Sequence, residues 1–335
     1  MRGLSDYVHS LGMKFGIHFA WPEAAPDSPV LRQNPDWRSS VDYDYYGADS
    51  LCLAHEPVRQ WIVAEAVRVI DETNADWILQ DGENMVKECR KTTHTHHPLD
   101  SNYANAVDGL DWILKQVQAH RSHVLWENCE NGGNMMTFQM VQNYATSILN
   151  DASGARAARQ AAYGATFPFP SRYSDRYMPE QSMNAYTARS YLFGGPWILM
   201  NKLALLDAPD FEYLGREIAR FKSIRETVRD GKILHVTNPP AEGRTDAIAA
   251  YDPATDSAVA VVTRDGAAAA TFALRVGEFR RDKSYIVTFA DDPRILTLTG
   301  EQIGRTGISV RLPERWGAEV VTITPAAADG RSRLQ

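Results

Sequence analysis

The 335-residue sequence has few cysteines, no basic run and no apolar stretch of transmembrane length. Its three cysteines, Cys52, Cys89 and Cys129, lie far apart, and the odd count argues against a disulfide framework. The first residues contain no apolar core of signal-peptide length, so we expect a cytoplasmic protein. The formal net charge of −7 comes without clustered Lys and Arg, which argues against a nucleic-acid surface. We therefore expect neither a membrane nor a nucleic-acid partner.

The sequence also lacks the common metal and dinucleotide motifs. A polar cluster of His94, His96, His97 and Asp100 is a candidate metal site, but no CxxC or HExxH pattern accompanies it. We favour the alternative, a polar loop lining a sugar pocket, and predict no metal and no cofactor. No Gly-rich loop follows the first strand, which disfavours a doubly wound dinucleotide-binding sheet.

What the sequence does contain is an alternation of strand, polar loop and helix, repeated about six times. Residues 57–73 have apolar side chains at helical spacing, and Trp77–Leu79 forms a short apolar strand that runs into Gln80 and Asp81. Helices are also predicted at 134–144, 180–191 and 211–229. Since each strand ends in acids, amides, Gly or Cys, we predict a (β/α)8 barrel of the TIM type, with an open doubly wound sheet as the alternative.

The sequence pattern changes after residue 231. Short segments rich in Val, Ile, Thr and Ala alternate with Gly, Asp and Pro turns, which predicts an antiparallel β-sandwich. The predicted domains are 1–231 for the barrel, 232–327 for the sandwich and 328–335 for a disordered tail.

Two acids follow apolar strands and are the leading catalytic candidates. Asp81 follows Trp77–Leu79, and Asp151 follows the segment ATSILN. Each could instead cap the helix that follows it. Because glycoside hydrolysis needs two carboxyl groups on opposite sides of one sugar, two such acids on separate strand ends favour catalysis. Glu127 and Glu130 are rival acids that the sequence does not exclude.

Other side chains are candidates for sugar contacts. His18 ends a predicted strand and could contact the sugar. The alternative is that it is a core histidine. Four aromatic residues could stack on a sugar, although packing is the commoner role: Trp21, Trp126, Tyr173 and Trp197.

These segments resemble glycoside hydrolase family 36, the bacterial and plant α-galactosidases. The likeness runs from about residue 5 to about residue 235 and rests on six segments in order: HSLGMKFGIHF with PDSPVLRQNPDW, LCLAHEPVRQWI, DWILQD, WENCENGG, NDASGARAARQAAYGATFPFP and NAYTARSYLFGGPW. LCLAHEPVRQWI is similar to the family's Leu-Asp-Leu segment, and WENCENGG to its Cys-x-x-Gly-Gly loop. The resemblance implies that Asp81 is the nucleophile and Asp151 the general acid/base.

The full set of predicted substrate contacts lies within these segments or close to them in sequence. They are His18, Trp21, Gln80, Glu83, Asn84, Cys129, Gly132, Asn134 and Arg172.

The sequence departs from the family pattern in ways that suggest altered specificity. Leu79 and Gln80 stand where the family has Lys-Trp, an expected Arg between 39 and 58 is absent, and the Trp before the acid/base is replaced. The family's N-terminal β-domain and first two barrel strands have no counterpart. We therefore expect an incomplete barrel, and little activity from this chain alone.

The resemblance implies a retaining hydrolase that removes terminal α-linked galactose from oligosaccharides by double displacement. An α-N-acetylgalactosaminidase or a galactosyl transferase would use the same two acids. A carbohydrate-binding fragment without activity and a metal-dependent hydrolase are the alternatives from other classes. The expected partner is a small α-galactoside, and oligomerisation is left open.

Overall fold

A computed structural model describes residues 1–40, 49–81, 89–94, 103–129, 133, 136–151 and 154–326. The chain divides into two compact units, Met1–Asp151 and Ala152–Gln335. Within the described residues, no helix is long and apolar enough to cross a membrane. The predicted tail, 328–335, lies outside the described residues.

The first unit alternates helices and short strands, as the sequence pattern predicts. Its helices are α1 (Arg2–Ser10), α2 (Pro29–Gln33), α3 (Glu56–Thr73) and α4 (Tyr103–His120). Its strands are β1 (Gly16–His18), β2 (Glu23–Ala24), β3 (Asp49–Ser50), β4 (Trp77–Gln80), β5 (Leu125–Asn128) and β6 (Thr146–Ile148).

Four of these strands form a parallel sheet in the order β1-β4-β5-β6. The helical pattern predicted at 57–73 is confirmed, because Val58, Ile62, Ala66 and Ile70 of α3 are all buried. Helix α3 ends at Asn74, which has φ 55°, a left-handed conformation that Asn tolerates at the end of a helix. The chain then enters β4 directly.

Asp76, just before β4, ties the amino-terminal segment to the sheet. One carboxylate oxygen, Oδ2, lies 2.7 Å from His9 Nε2 and accepts the backbone N–H of Phe15 at 3.0 Å. The other, Oδ1, accepts from Lys14 Nζ at 2.8 Å. Burial raises the pKa of Asp76, but these hydrogen bonds outweigh it and hold the pKa well below its usual range.

The second unit begins with helices and two parallel strands. Its helices are α5 (Ala155–Ala165), α6 (Ala185–Arg189), α7 (Ala208–Asp230) and α8 (Gly300–Arg305). Strands β7 (Ser174–Met178) and β8 (Trp197–Leu199) pair in parallel. The remaining strands are β9 (Lys232–His235), β10 (Thr245–Asp252), β11 (Ser257–Arg264), β12 (Thr271–Leu274), β13 (Ser284–Phe289), β14 (Leu296–Thr299), β15 (Ile308–Arg311) and β16 (Gly317–Pro325).

These later strands form the predicted sandwich. A six-stranded antiparallel sheet runs in the order β14-β13-β16-β11-β10-β9, and β12 pairs with β15. Alternate residues of β11 face two different cores: Ala260 and Val262 pack with the β12–β15 pair, whereas Val259 and Val261 pack with α7. Burial on both faces explains why β11 is an almost continuous apolar run.

Ion pairs around a buried arginine join the helices of the second unit to its sandwich. Arg189 of α6 has no exposed side-chain surface. Its guanidinium bonds Glu217 of α7 at 3.0 Å and Asp291 at 2.7 Å. Because removing one partner of a buried pair leaves an uncompensated charge, this cluster constrains how helix and sheet pack.

The structure differs from the prediction at two of the predicted helices. Within the described part of 134–144 there is only a 3₁₀ turn, Met140–Gln142, which is enough to bury Met140 and Tyr144. Helix 180–191 shrinks to α6, because the Asn184 side chain accepts the backbone N–H of Thr187 and starts the helix there. The domain boundary at 231–232, which falls between α7 and β9, stays a prediction.

We predict that Asp76→Asn destabilises the first unit in a pH-dependent way. A carboxylate whose pKa is depressed by folding stabilises above its unfolded pKa, and this stability is lost as pH falls through the folded pKa. At about pH 7 the substitution should cost about 1.5–3 kcal/mol, and the difference should shrink below about pH 4. Amide hydrogen exchange in α1 and β4 measures it. Asp6→Asn, in an exposed pair with Arg2, is the control; equal effects of the two variants at every pH would contradict the prediction.

Candidate active site

The carboxyl ends of the four parallel strands of the first unit carry the predicted catalytic segments. Strand β1 ends at His18, and Asp81 directly follows β4. Cys129 directly follows β5, and Asp151 lies three residues beyond the end of β6. Because the strands are parallel and adjacent, these residues leave the sheet at the same edge.

His18 and Asp81 are brought together at this edge. His18 Nε2 lies 3.1 Å from Asp81 Oδ2. The side chain of His18 is 62% exposed and that of Asp81 34%, so both remain accessible to a ligand. The imidazole can hold this carboxylate oxygen of Asp81 in place.

A buried polar layer lies behind this edge. Gln80 pairs in register with Asn128, and Asn128 with Ser147, so the three side chains share one face of the sheet. The Tyr144 hydroxyl donates to Gln80 Oε1, and Asn128 Nδ2 donates to Ser147 Oγ at 3.4 Å. Gln80 is fully buried, which favours a supporting role over the predicted direct contact with substrate.

The predicted aromatic contacts are mostly core residues. Trp21 is 4% exposed and packs edge-on against Trp126, with ring centroids 6.0 Å apart. In the second unit Tyr173 is buried, and Trp197 packs against Phe221. Packing, the alternative for each of these aromatics, is therefore favoured over stacking on a sugar.

Glu127 lies within strand β5, and its side chain is buried. The Trp77 indole Nε1–H donates to Glu127 Oε2 at 2.6 Å, and Glu127 is 4% exposed. By strand alternation Glu127 faces away from Asn128 and Gln80. This position disfavours Glu127 as a catalytic acid, and its rival Glu130 lies outside the described residues.

Asp151 is exposed, and the alternative that it caps a helix is wrong. Helix α5 begins after Gly154, which provides no side-chain cap. For Asp81 the residues that follow lie outside the described part, so the capping alternative stays open. The backbone N–H of Cys129 donates to the carbonyl of Gln80 at 2.9 Å, which fixes the start of its loop.

The structure places Arg172 before a strand rather than after one. It lies in a 3₁₀ turn, Ser171–Tyr173, that immediately precedes β7 and so stands at the amino end of that strand. There it pairs with Asp230 at 3.7 Å. Barrel active sites are built at the carboxyl ends of strands, so a substrate contact for Arg172 is disfavoured.

Several predicted contacts cannot be placed. Outside the described residues lie Glu83, Asn84, Gly132, Asn134, His96, His97 and Asp100. His94 is described, and its Nδ1 lies 2.9 Å from the carbonyl of Asp36.

Sequence reasoning missed Tyr144 and Trp77, because an aromatic residue before or within a buried strand carries no signal beyond packing.

A sequence model of the Melibiase family matches residues 1–231. The chain belongs to the Melibiase family. The expected resemblance to glycoside hydrolase family 36 is thereby confirmed.

Curated relatives of this Melibiase-family chain share limited identity with it. Alpha-galactosidase 1 of Pediococcus pentosaceus is 23% identical over 247 residues, which are 70% of this chain and 33% of that protein. The α-galactosidase of Escherichia coli is 22% identical over 263 residues, 74% of this chain and 36% of that protein. The chain thus spans about a third of the curated relatives it matches.

Solved structures show the same fold. A substituted form of the family 36 α-galactosidase AgaA from Geobacillus stearothermophilus, in complex with raffinose, aligns with a TM-score of 0.86 at 16% identity. The alignment covers 96% of this chain and 46% of that one. The Lactobacillus brevis α-galactosidase aligns at 0.81 and 18% identity, covering 100% and 47%. The expected fold class, an incomplete (β/α) barrel followed by an antiparallel β-sandwich, is confirmed.

We predict that Trp77→Phe destabilises the first unit. The substitution removes the indole donor from a buried carboxylate, which should lower the free energy of unfolding by about 1–3 kcal/mol. Urea unfolding measures the change. Trp112→Phe, at a 37% exposed position, is the matched control and should change stability by less than about 0.5 kcal/mol. Equal stability of the two variants would show that the Trp77–Glu127 contact contributes nothing.

Proposed function

We propose that the chain carries both catalytic carboxyl groups of a retaining glycoside hydrolase that removes terminal α-linked galactose from oligosaccharides. The main support for this proposal is that Asp81 and Asp151 follow the carboxyl ends of β4 and β6. These are two strands of one parallel sheet with only β5 between them. Membership of the Melibiase family and the α-galactosidase relatives support the choice of sugar.

The strand spacing permits the short carboxyl separation that retention requires. Neighbouring strands lie about 4.8 Å apart, so the backbones of β4 and β6 are separated by about 10 Å. Two Asp side chains that reach inward from these positions can bring their carboxyl groups to about 5–5.5 Å, the separation that retaining enzymes use. Inverting enzymes need about 6.5–9.5 Å, to leave room for a water molecule.

The proposed reaction has two displacement steps. A carboxylate oxygen of Asp81 attacks C1 of galactose, the bond from C1 to the leaving oxygen breaks, and protonated Asp151 gives its proton to that oxygen. The product is a galactosyl ester of Asp81 with inverted configuration at C1. Asp151, now a carboxylate, takes a proton from water as the water oxygen attacks C1. The ester bond breaks, Asp81 is released, and the second inversion restores the α configuration.

His18 supports this reaction by positioning. Its contact with Asp81 Oδ2 holds the carboxylate of the proposed nucleophile in one orientation. Behind the site, the Tyr144–Gln80 hydrogen bond fixes the end of β4, from which Asp81 projects. These groups suffice for double displacement, so the proposed route needs no cofactor. The cytoplasmic location and the oligomeric state stay predictions.

Azide rescue distinguishes the two carboxyl roles. The variants are Asp81→Gly and Asp151→Ala. Both are made in a form of the protein that hydrolyses a nitrophenyl α-galactoside, and both are assayed with that substrate. Loss of the acid/base should slow hydrolysis by about 10²–10⁴-fold, and loss of the nucleophile should abolish it. Azide should then restore turnover in both. With Asp151→Ala it captures the galactosyl ester and gives the α-azide, whereas with Asp81→Gly it attacks substrate directly and gives the β-azide.

The matched control is Asp27→Asn, an exposed aspartate in the same unit that should keep full turnover. An unchanged rate in either catalytic variant would contradict the assignment of that residue. Galactose binding without turnover by the unaltered protein would instead favour a carbohydrate-binding role.

A further inference from the structure

Three potential metal ligands, none of them a catalytic candidate, meet in the first unit. Cys52, Cys89 and His94 each offer one donor atom, and the three atoms lie within 4.8 Å of one another. They come from two separate stretches: Cys52 stands two residues beyond β3, whereas Cys89 and His94 belong to the described segment 89–94. Cys52 and Cys89 are buried, at 1% and 3% exposed, and the side chain of the partly buried His94 is 2% exposed.

The separation of the donor atoms fits a tetrahedral zinc ion. Cys89 Sγ lies 3.4 Å from His94 Nε2. Zinc bonds of about 2.3 Å to sulfur and about 2.0–2.1 Å to nitrogen, at a tetrahedral angle, place these two atoms about 3.6 Å apart. A shift of a few tenths of an ångström would therefore bring these two atoms to the zinc-bound separation.

The orientation of His94 is that of a metal ligand. Its Nδ1 lies 2.9 Å from the carbonyl oxygen of Asp36 and 3.2 Å from Asp36 Oδ2. Two acceptors beside Nδ1 favour a proton on that nitrogen, and in that tautomer of the neutral ring the lone pair is on Nε2, on the side of Cys89. Zinc-bound histidines are typically held by such a carboxylate or carbonyl partner.

Neighbouring groups fix this arrangement further. The Thr93 hydroxyl donates to Asp36 Oδ1, and the His55 ring stacks on His94 with centroids 4.5 Å apart. Buried free cysteines are common, and a simple thiol–imidazole hydrogen bond is the plain alternative. That alternative explains Cys89 and His94, but it does not explain why a second buried cysteine from another stretch lies with them.

We propose that Cys52, Cys89 and His94 bind one zinc ion, with a fourth ligand or water completing the tetrahedron. Two thiolates and an imidazole form a donor set that suits zinc and excludes magnesium and calcium, which prefer oxygen. The ion would fasten the segment 89–94, which follows the strand of Asp81, to the end of β3. The role is structural and independent of the proposed hydrolysis.

Metal binding is tested on the full chain, reduced with a phosphine and freed of metal by a chelator. Zinc should bind at about one equivalent with submicromolar affinity, measured by competition with a chromogenic chelator. Cobalt should give the near-ultraviolet charge-transfer band of a thiolate complex, with the visible bands of tetrahedral coordination. Cys52→Ser with Cys89→Ser should abolish the tight site and both sets of bands, and His94→Ala should weaken binding at least about tenfold. Cys129→Ser is the cysteine control and should bind as the wild type does.

The cobalt spectrum of the wild-type protein reports thiolate ligation even if a variant fails to fold. Failure of the reduced wild-type protein to take up zinc would overturn the proposal, as would undiminished binding by the double variant or loss of binding in Cys129→Ser. A Cys52–Cys89 disulfide in air, together with no metal uptake after reduction, would assign the pair to redox chemistry instead. None of these readouts uses galactosidase activity, so the proposed function and the zinc site fail separately.

Discussion

Parallel pairing of β1, β4, β5 and β6 is the constraint on which the site depends. The register sets Gln80 beside Asn128 and Asn128 beside Ser147, and it lets His18 reach Asp81. A slip of one residue would turn each side chain to the opposite face and separate these groups. The proposed joint action of Asp81 and Asp151 on one sugar depends on neighbouring parallel strands that present their carboxyl ends at a common edge.

The sequence signals worked where a buried strand is apolar and ends abruptly in polar residues. Trp77–Leu79 before Asp81 and the Val-rich β11 are of this kind, and both the strand ends and the sandwich could be predicted. Strand β7 could not, because its buried residues Ser174, Asp175 and Arg176 are polar and resemble a loop. Polar strands of this type are understood only once the surrounding side chains are known, which no local pattern contains.

The sequence offered a reason for the position of the two acids but none for the supporting contacts around them. A carboxylate after an apolar strand has a mechanistic reason to be there, whereas the burial of Trp21 and Gln80 depends on what packs over them. The position of Arg172 before a strand could not be predicted, because strand β7 itself was not recognised in the sequence. Cys52 stands where the related Leu-Asp-Leu segment has its acid, and this departure from the family falls within the proposed zinc site.

The most direct test of the account is the separation of two carboxyl groups in a crystal structure of the protein bound to galactose. The account predicts that Asp81 and Asp151 lie on opposite sides of C1, with their carboxyl groups about 5–5.5 Å apart. A separation of about 6.5–9.5 Å would indicate an inverting reaction. Side chains that open into different clefts would contradict the assignment of both residues.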